Sequence, residues 1–522
     1  MATPSVHHRE SFRGFNPAAG RPTAPTYHAA TTGEVASAGE SAWTAFRAGT
    51  RDNQRAAFLE SIASNLDRDA DAILAVAREE TALPEARLRG ELARTTHTLR
   101  MFASLLRDGS WVEAVIDRGD PSRTPLPKPD LRRMLVPLGP VAVFGASNFP
   151  LAYGVAGGDT ASALAAGCPV LVKGHSAHPG TGEAIAARIS EAVHAHALPR
   201  GLFQYLPAGG ARDLTVGEEL VTHPRVRAVG FTGSVAGGKA LVRLANARAE
   251  PIPVFAEMGS VNPVFVLPAA IAARGTAIAQ FLAASATASG GQMCTCPGLI
   301  FVPEPADAFV QALREAFASM PPVIMLTPRI AQSYRRRLAD VAGAPGAWVL
   351  AGDPRVGTDS TGPVIASPVL AVVNLREFLA AGTLREECFG PSTIVVRCTN
   401  ADEFLEAAAL LEGSLTATVH ADADDHARAC GLLAALADRA GRLIVNGVPT
   451  GVEVAGAMVH SGPFPACSRP DSTAVGPWAI RRWCRPVCFQ NTPQALLPEA
   501  LHDANPLGIV RVEDGRVVLP AR

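Results

Sequence analysis

From Gly139-Pro140 onward, short apolar runs alternate with Ala-rich stretches of helical character. Val141-Ala142-Val143-Phe144 reads as a buried strand, closed by turn residues from Gly145 to Phe149. Residues 151–166 read as a small-residue helix, Val170-Leu171-Val172-Lys173 as the next strand, and residues 180–194 as the next helix. Residues 203–206 and then 226–232 repeat the alternation. A strand buried on both faces appears as a continuous apolar run, and a helix between successive strands demands a crossover. The pattern therefore predicts an α/β fold with a mostly parallel sheet. A second alternating block runs from about Ile252 to Ala466, with strands at 262–267, 299–302, 393–396 and 443–446 and a helix at 271–289. A chain of 522 residues exceeds one simple core, so two or three domains are expected.

The flanks read differently. Residues 1–30 look like a loosely packed start, and residues 33–106 are helical, with Pro84 suited to the first turn of a helix. Residues 111–137 contain a run of prolines from Pro121 to Pro129 that no helix accommodates. They read as an extended arm or edge hairpin, and the tail after Trp478 is β-like. An exposed arm of this kind needs a partner edge, which predicts oligomers.

Apolar residues make up 48% and charged residues 18% of the chain, which fits a globular protein. A formal net charge of -1 gives no attraction to nucleic acid or to an anionic membrane surface. The nine cysteines are an odd number scattered through a long chain, arguing for a reducing compartment and against a disulfide framework. Cys294 and Cys296 have no His at zinc spacing, so no metal site is expected. The N-terminus lacks an apolar signal core, and the apolar stretch 141–166 is broken by Asn148, Pro150 and Asp159. No membrane association and a cytoplasmic location are therefore expected.

Four segments carry chemistry. Gly290-Gly291-Gln292-Met293-Cys294-Thr295-Cys296-Pro297 sets a thiol in a Gly-bracketed turn after a helix, and Phe255-Ala256-Glu257-Met258-Gly259 sets a lone carboxylate in an apolar segment. A sulfur nucleophile with a general base suggests covalent catalysis. Gly230-Phe231-Thr232-Gly233-Ser234 follows a strand and opens a helix, where backbone N–H groups suit a phosphate; by itself it reads equally as an ordinary Gly-rich turn. Lys173 ends a strand, where α/β sheets bind ligands, although a lone Lys there is commonly a solvated charge. Asn148 sits in a tight loop, able to donate to an oxyanion or to stabilise its own turn.

Together these segments resemble the NAD(P)-dependent aldehyde dehydrogenase superfamily. The matching stretches are GASNFPLAYGVAGGDTASALAAGCPVLVKGHSAHPGT, AVGFTGS, FAEMGSVNP, GQMCTCPG, REECFGP and LIVNGVPTGVEV, in the family's order from about residue 35 to 490. The wording looks most like the NADP-preferring branch with 2,5-dioxovalerate (2-oxoglutarate semialdehyde) dehydrogenases and a long-chain fatty aldehyde dehydrogenase. The resemblance implies a Rossmann-like cofactor domain (1–110 and 138–255), a catalytic α/β domain (256–477), and a small β oligomerisation arm with tail (111–137 and 478–522). It implies a homodimer or homotetramer.

Residue by residue, the resemblance makes Cys294 the nucleophile, Glu257 the general base and Asn148 the oxyanion donor, with the Cys294 N–H as second donor. Lys173 matches the residue on the adenosine ribose or 2′-phosphate. Gly233 and Ser234 lie near the cofactor phosphates, and Glu387 bonds the nicotinamide ribose with Phe389 beside it. A turn rich in N–H groups is expected to raise the thiolate fraction of Cys294. Ser176 stands where NAD-preferring relatives carry Glu, and Arg212 offers a second cation, so NADP is expected with NAD tolerated. Cys296 is expected to line the substrate pocket.

For the substrate, 2,5-dioxovalerate needs a cation for its carboxylate, with Arg94 and Arg100 as candidates, each equally readable as structural. A long aliphatic aldehyde needs an apolar funnel, for which Phe149, Leu151, Tyr153 and Phe464 are available. Two further rivals are a CoA-acylating enzyme, disfavoured by the water-activating Glu257, and a catalytically silent binding protein.

Overall fold

The computed structural model describes residues 9–354 and 362–520. The N-terminal stretch is more ordered than its composition suggests: β1 (Ser11–Asn16) and β2 (Arg21–His28) form an antiparallel hairpin. Its ring pair, Phe12 against Tyr27 at 5.8 Å, gives a Pro-rich segment something to bury. The reading of the first eight residues as lacking a signal core lies outside the described residues. Four helices follow: α1 (Thr32–Ala48), α2 (Asp52–Arg68), α3 (Ala70–Thr81) and α4 (Glu85–Asp108). Thr31 and Glu34 close a reciprocal capping box at the start of α1, and Pro84 caps α4. The arm then contributes β3 (Val115–Asp117) and β4 (Leu131–Pro137), an antiparallel pair.

The first alternating block builds a five-stranded parallel sheet. It comprises β5 (Val141–Phe144), α5 (Gly158–Ala166), β6 (Val170–Lys173), α6 (Pro179–Ala195), β7 (Phe203–Leu206), α7 (Asp213–Thr222), β8 (Ala228–Thr232), α8 (Val235–Asn246) and β9 (Val254–Glu257). The strand order β7-β6-β5-β8-β9 reverses direction at β5, leaving a crevice at the strand ends between β5 and β8. The helix expected over 151–166 is only its second half. Residues 151–157 form turns, because Pro150, Gly154 and Gly157 interrupt the helix, and at Gly154 a Cβ would meet the Pro150 carbonyl at 1.9 Å. The domain boundary expected at 255/256 falls inside β9.

The second block gives β10 (Val264–Val266), α9 (Pro268–Thr287), β11 (Leu299–Pro303), α10 (Asp307–Ala318), β12 (Val323–Ile324), α11 (Pro328–Ala342), β13 (Trp348–Ala351), β14 (Ile365–Ala366) and β15 (Val369–Asn374). It continues with α12 (Leu375–Ala380), β16 (Ser392–Cys398), α13 (Glu403–Leu410), β17 (Ser414–His420), α14 (His426–Ala437) and β18 (Ala440–Val445). Seven of these strands form one sheet in the order β13-β15-β16-β11-β10-β17-β18, parallel except for β13. By length and composition α9 is apolar enough to cross a bilayer, a candidate beyond the 141–166 stretch. Its Ile278, Ala279, Leu282 and Ala286 are buried instead in the core with β10 and β11. Phe265 and Phe301 stack at 4.6 Å on the other face of the sheet.

The tail supplies β19 (Cys484–Gln490), β20 (Arg511–Glu513) and β21 (Arg516–Val518). They join the arm in a third sheet, ordered β19-β4-β3-β20-β21.

Candidate active site

The site gathers where the loops after β5, β9 and α9 meet. The loop before Cys294 is set by its backbone. Ser289, Gly290 and Gly291 all take left-handed φ (53°, 67° and 65°), turning the chain back under the end of α9. At Gly291 a Cβ would lie 2.2 Å from the Gly390 carbonyl, so only Gly lets the two loops touch. Asn262, itself at φ 46°, clamps the turn by donating its amide to the carbonyls of Cys294 (2.8 Å) and Cys296 (2.9 Å). Its Oδ1 accepts from Ser260 and Thr416. The sequence reading missed Asn262, although Gly259-Ser260-Val261-Asn262-Pro263 signals a special turn.

Asn148 does not serve its own loop. Its buried amide donates 2.8 Å across to the carbonyl of Gln292, leaving one N–H for a reacting oxygen. Arg87 on α4, also missed, lies 4.4 Å over the Phe149 ring and donates to the Asn148 carbonyl (3.0 Å) and to Ser289 Oγ. Glu91, one turn along, accepts from the N–H groups of Leu151 and Ala152. One helical turn thus ties the Asn148 loop to the Cys294 loop.

Glu257 ends β9 buried, and its carboxylate accepts a hydrogen bond from the Cys467 thiol at 2.8 Å. Burial pushes its pKa up to about 7, a shift opposed mainly by that thiol. Glu387 is pushed up to about 7 by burial, against the Ser260 N–H that donates to it at 3.3 Å. The nucleophile departs from expectation. Burial, reinforced by the charges of Glu387 and Glu257, drives the Cys294 thiol up to about 12, and the backbone N–H contribution is too small to reverse this. The resting group is a thiol. His460 Nε2 lies 4.0 Å from its sulfur, but burial and the charges of Arg442, Arg94 and Arg482 lower that imidazole to about 3. A thiolate–imidazolium pair is therefore disfavoured, and the acceptors near the sulfur that titrate close to neutral pH are the carboxyl groups of Glu257 and Glu387.

Cys296 donates to the Ser285 carbonyl at 3.6 Å and lines a cleft with Met293, Glu387 and Phe389. Of the funnel residues, Phe149 and Tyr153 pack edge to face at 5.4 Å near His460. Leu151 is fully buried and lines nothing, and exposed Phe464 lies under Lys239 at 5.2 Å. Arg100 is spent on a surface pair with Asp67 at 2.6 Å.

At the cofactor end, Ser234 caps α8 by accepting from the Gly237 N–H, and the Gly233 N–H donates to the Glu257 carbonyl. Lys173 Nζ reaches Asp213 at 2.5 Å, and Ser176 Oγ donates to the other oxygen of the same carboxylate at 3.1 Å. The two donors thus share one carboxylate, and the donor set suits an anion. Arg212 is not a free cation there: it donates to the Ala30 carbonyl and pairs with Glu219 at 2.7 Å.

A model of the aldehyde dehydrogenase family matches residues 5–462. The chain is 49% identical over 511 residues to alpha-ketoglutaric semialdehyde dehydrogenase 2 of Azospirillum brasilense, covering 97% of this chain and 96% of that protein. It is 45% identical over 500 residues to alpha-ketoglutaric semialdehyde dehydrogenase of Acinetobacter baylyi, covering 95% and 93%. In fold it is similar to 1-pyrroline-5-carboxylate dehydrogenase from Thermus with bound NAD, at a TM-score of 0.76 and 22% identity, covering 92% of this chain and 90% of that one.

Proposed function

We propose, since the chain belongs to the aldehyde dehydrogenase family, that it oxidises 2,5-dioxovalerate to 2-oxoglutarate with NADP as preferred acceptor and NAD tolerated. It is an oxidoreductase acting on aldehydes, and the family uses NAD(P). The observation that carries the chemistry is that Asn148 donates to the carbonyl of Gln292, two residues before Cys294, while the charge of Glu257 bears on the Cys294 sulfur. Near-full-length identity to two alpha-ketoglutaric semialdehyde dehydrogenases supports the substrate.

The Cys294 thiol attacks the aldehyde carbon. Its proton leaves as the carbon–sulfur bond forms, because a thiol near 12 supplies almost no free thiolate at neutral pH. Glu257, close enough for its charge to bear on the sulfur and titrating near 7, is the matched acceptor. The free N–H of Asn148 and the Cys294 peptide N–H stabilise the thiohemiacetal oxyanion. When bound, NAD(P) would supply the acceptor for the hydride that the oxyanion expels as it collapses to a thioester. Lys173, Ser176, Gly233, Ser234, Glu387 and Phe389 are the residues we assign to hold that cofactor. Glu257, once it has released the thiol proton to solvent, takes a proton from the water that cleaves the thioester and returns it to the departing sulfur, releasing the acid and restoring the thiol. Since this step needs a general base, water rather than CoA is the acyl acceptor.

NADP is supported by Ser176, a neutral donor beside Lys173 where an acid would repel a 2′-phosphate, while Asp213, which both donors bond, weakens that preference. The open edges of β18 and β19 support a homo-oligomer, and nine free thiols suit a reducing, cytoplasmic setting.

The test follows NAD(P)H absorbance with 2,5-dioxovalerate and with a medium-chain alkanal, for the native chain and Cys294→Ala. We expect dioxovalerate to be preferred and Cys294→Ala to lose about 10³-fold or more in kcat. Preference for the alkanal removes the substrate assignment; activity surviving in Cys294→Ala removes the mechanism.

A further inference from the structure

Two arginines near the nucleophile carry charge with no ion-pair partner among the described residues. Arg94, on α4, lies 6.0 Å over the Tyr153 ring and donates to the Val452 carbonyl. Arg442, on β18, donates to the carbonyls of Gly451 (2.8 Å) and Pro449, and its Nε is buried with no hydrogen-bond partner. Both guanidinium groups are thus anchored by one short turn, residues 449–452, which fixes their direction without neutralising them. Both border the side chains around the reacting sulfur. Tyr153, under Arg94, packs 6.2 Å from His460, whose Nε2 is 4.0 Å from Cys294 Sγ, and Arg442 interacts through its charge with Cys294, Tyr153 and His460.

Partly buried cations held only by carbonyl dipoles are costly unless an anion joins them. Elsewhere on α4 the arginines have their own acids: Arg89 has Glu85 and Asp71, Arg100 has Asp67, Arg107 has Glu60. The local acid, Glu91, turns instead to the Leu151 and Ala152 N–H groups, with Arg87 at 3.6 Å. The missing anion must therefore come with the ligand, and it must sit a few bonds from the atom that Cys294 attacks.

We propose that Arg94 and Arg442 form the subsite for the carboxylate of the substrate, with the unpartnered Arg442 N–H available to a carboxylate or 2-oxo oxygen. This rests on the reading of the substrate as a 2-oxo acid semialdehyde and deepens it. In 2,5-dioxovalerate the aldehyde and carboxylate carbons close the two ends of one short chain, so one molecule engages the sulfur and the arginines together. A guanidinium matches a carboxylate in planar, paired donor geometry, which a lysine does not. Selection against an alkanal of equal length then comes from the two cations and not from the fit of the chain.

The test compares kcat/KM for 2,5-dioxovalerate and pentanal, a chain of equal length without the carboxylate, in the native enzyme, Arg94→Gln and Arg442→Gln. We expect the ratio of the two to fall about 10- to 100-fold in each variant, chiefly through KM for dioxovalerate. Arg442→Lys should recover part of that ratio. A ratio unchanged in both variants overturns the subsite. So that the outcome does not depend on folding of the Arg442 variants, 2-oxopentanoate is tested against pentanal in the native enzyme. Competitive inhibition that weakens in Arg94→Gln supports the subsite, and absence of inhibition overturns it. The underlying substrate reading fails differently: the native enzyme itself would then oxidise pentanal as well as or better than dioxovalerate.

Discussion

Glu257 is governed by two opposed influences. Burial at the end of β9 disfavours its charge, while the Cys467 thiol donates to that charge at 2.8 Å and favours it. The balance leaves the carboxyl near 7, where a base is both partly ionised and strong enough to take a proton from water. Cys467→Ala removes the favourable influence. The folded-state pKa then rises further, and since only the ionised form acts, the ascending limb of the kcat–pH profile moves to higher pH. Activity near pH 7 should fall about 2- to 10-fold and recover at alkaline pH, whereas Cys467→Ser, which keeps a donor, stays close to native. An unmoved limb in Cys467→Ala, measured under saturating substrate, would show that the thiol merely packs. At this scale Cys294, Glu257 and Asn148 were legible as candidates from residue type and local glycine content, while their roles came from the resemblance to the family. The protonation state of Cys294 could not, because it depends on Glu387, which is remote in sequence, and on burial.

Elements bring together what the chain separates. Asp213 opens α7, and its carboxylate reaches both Lys173 at the end of β6 and Ser176 beyond it. The substitution logic of the sequence, Ser176 in place of an acid, is thus half of the matter, because an acid arrives from another helix. A 2′-phosphate meets Asp213 as a like charge; a free 2′-hydroxyl does not. Asp213→Asn should therefore tighten NADPH relative to NADH by about tenfold, read from tryptophan fluorescence quenching in direct titrations. Equal changes for the two nucleotides would mean that Asp213 only orients Lys173. The same scale explains the misread segments. Residues 11–28 look loose because prolines and small residues lack strand periodicity, yet a ladder to one neighbour holds them. Residues 151–157 look helical because Leu, Ala and Val dominate, yet the Pro150 carbonyl comes too close to Gly154 for a side chain there. The strand–helix alternation from 141 onward was legible because burial on both faces demands continuous apolar runs.

At the scale of the whole chain, β18 and β19 are two of the terminal strands of the sheets in the described residues. β18 ends the seven-stranded sheet, exposing Leu443 and Val445, and β19 ends the arm sheet on the side away from the β20–β21 hairpin. An exposed apolar edge presents unpaired N–H and C=O groups that a soluble monomer must cover or blunt. In the arm sheet β21 is the terminal strand on the other side, and among the described residues β19 pairs with β4 alone. A two-fold arrangement solves both edges at once, since β19 of each copy can meet β18 of the other and every such contact occurs twice. On this account the dimer depends on the apolar side chains of β18 and not on the catalytic cleft. Leu443→Lys with Val445→Lys adds two charges to that edge in each copy while leaving the ladder to β17 intact. Sedimentation velocity should then show the native oligomer reduced to monomer, with dissociation at least about 100-fold easier, because like charges facing an apolar edge cost several kcal/mol. Retention of the native sedimentation coefficient would place the interface elsewhere. If the variant becomes monomeric, its kcat then tells whether the arrangement of β18, on which Arg442 lies, depends on the partner strand.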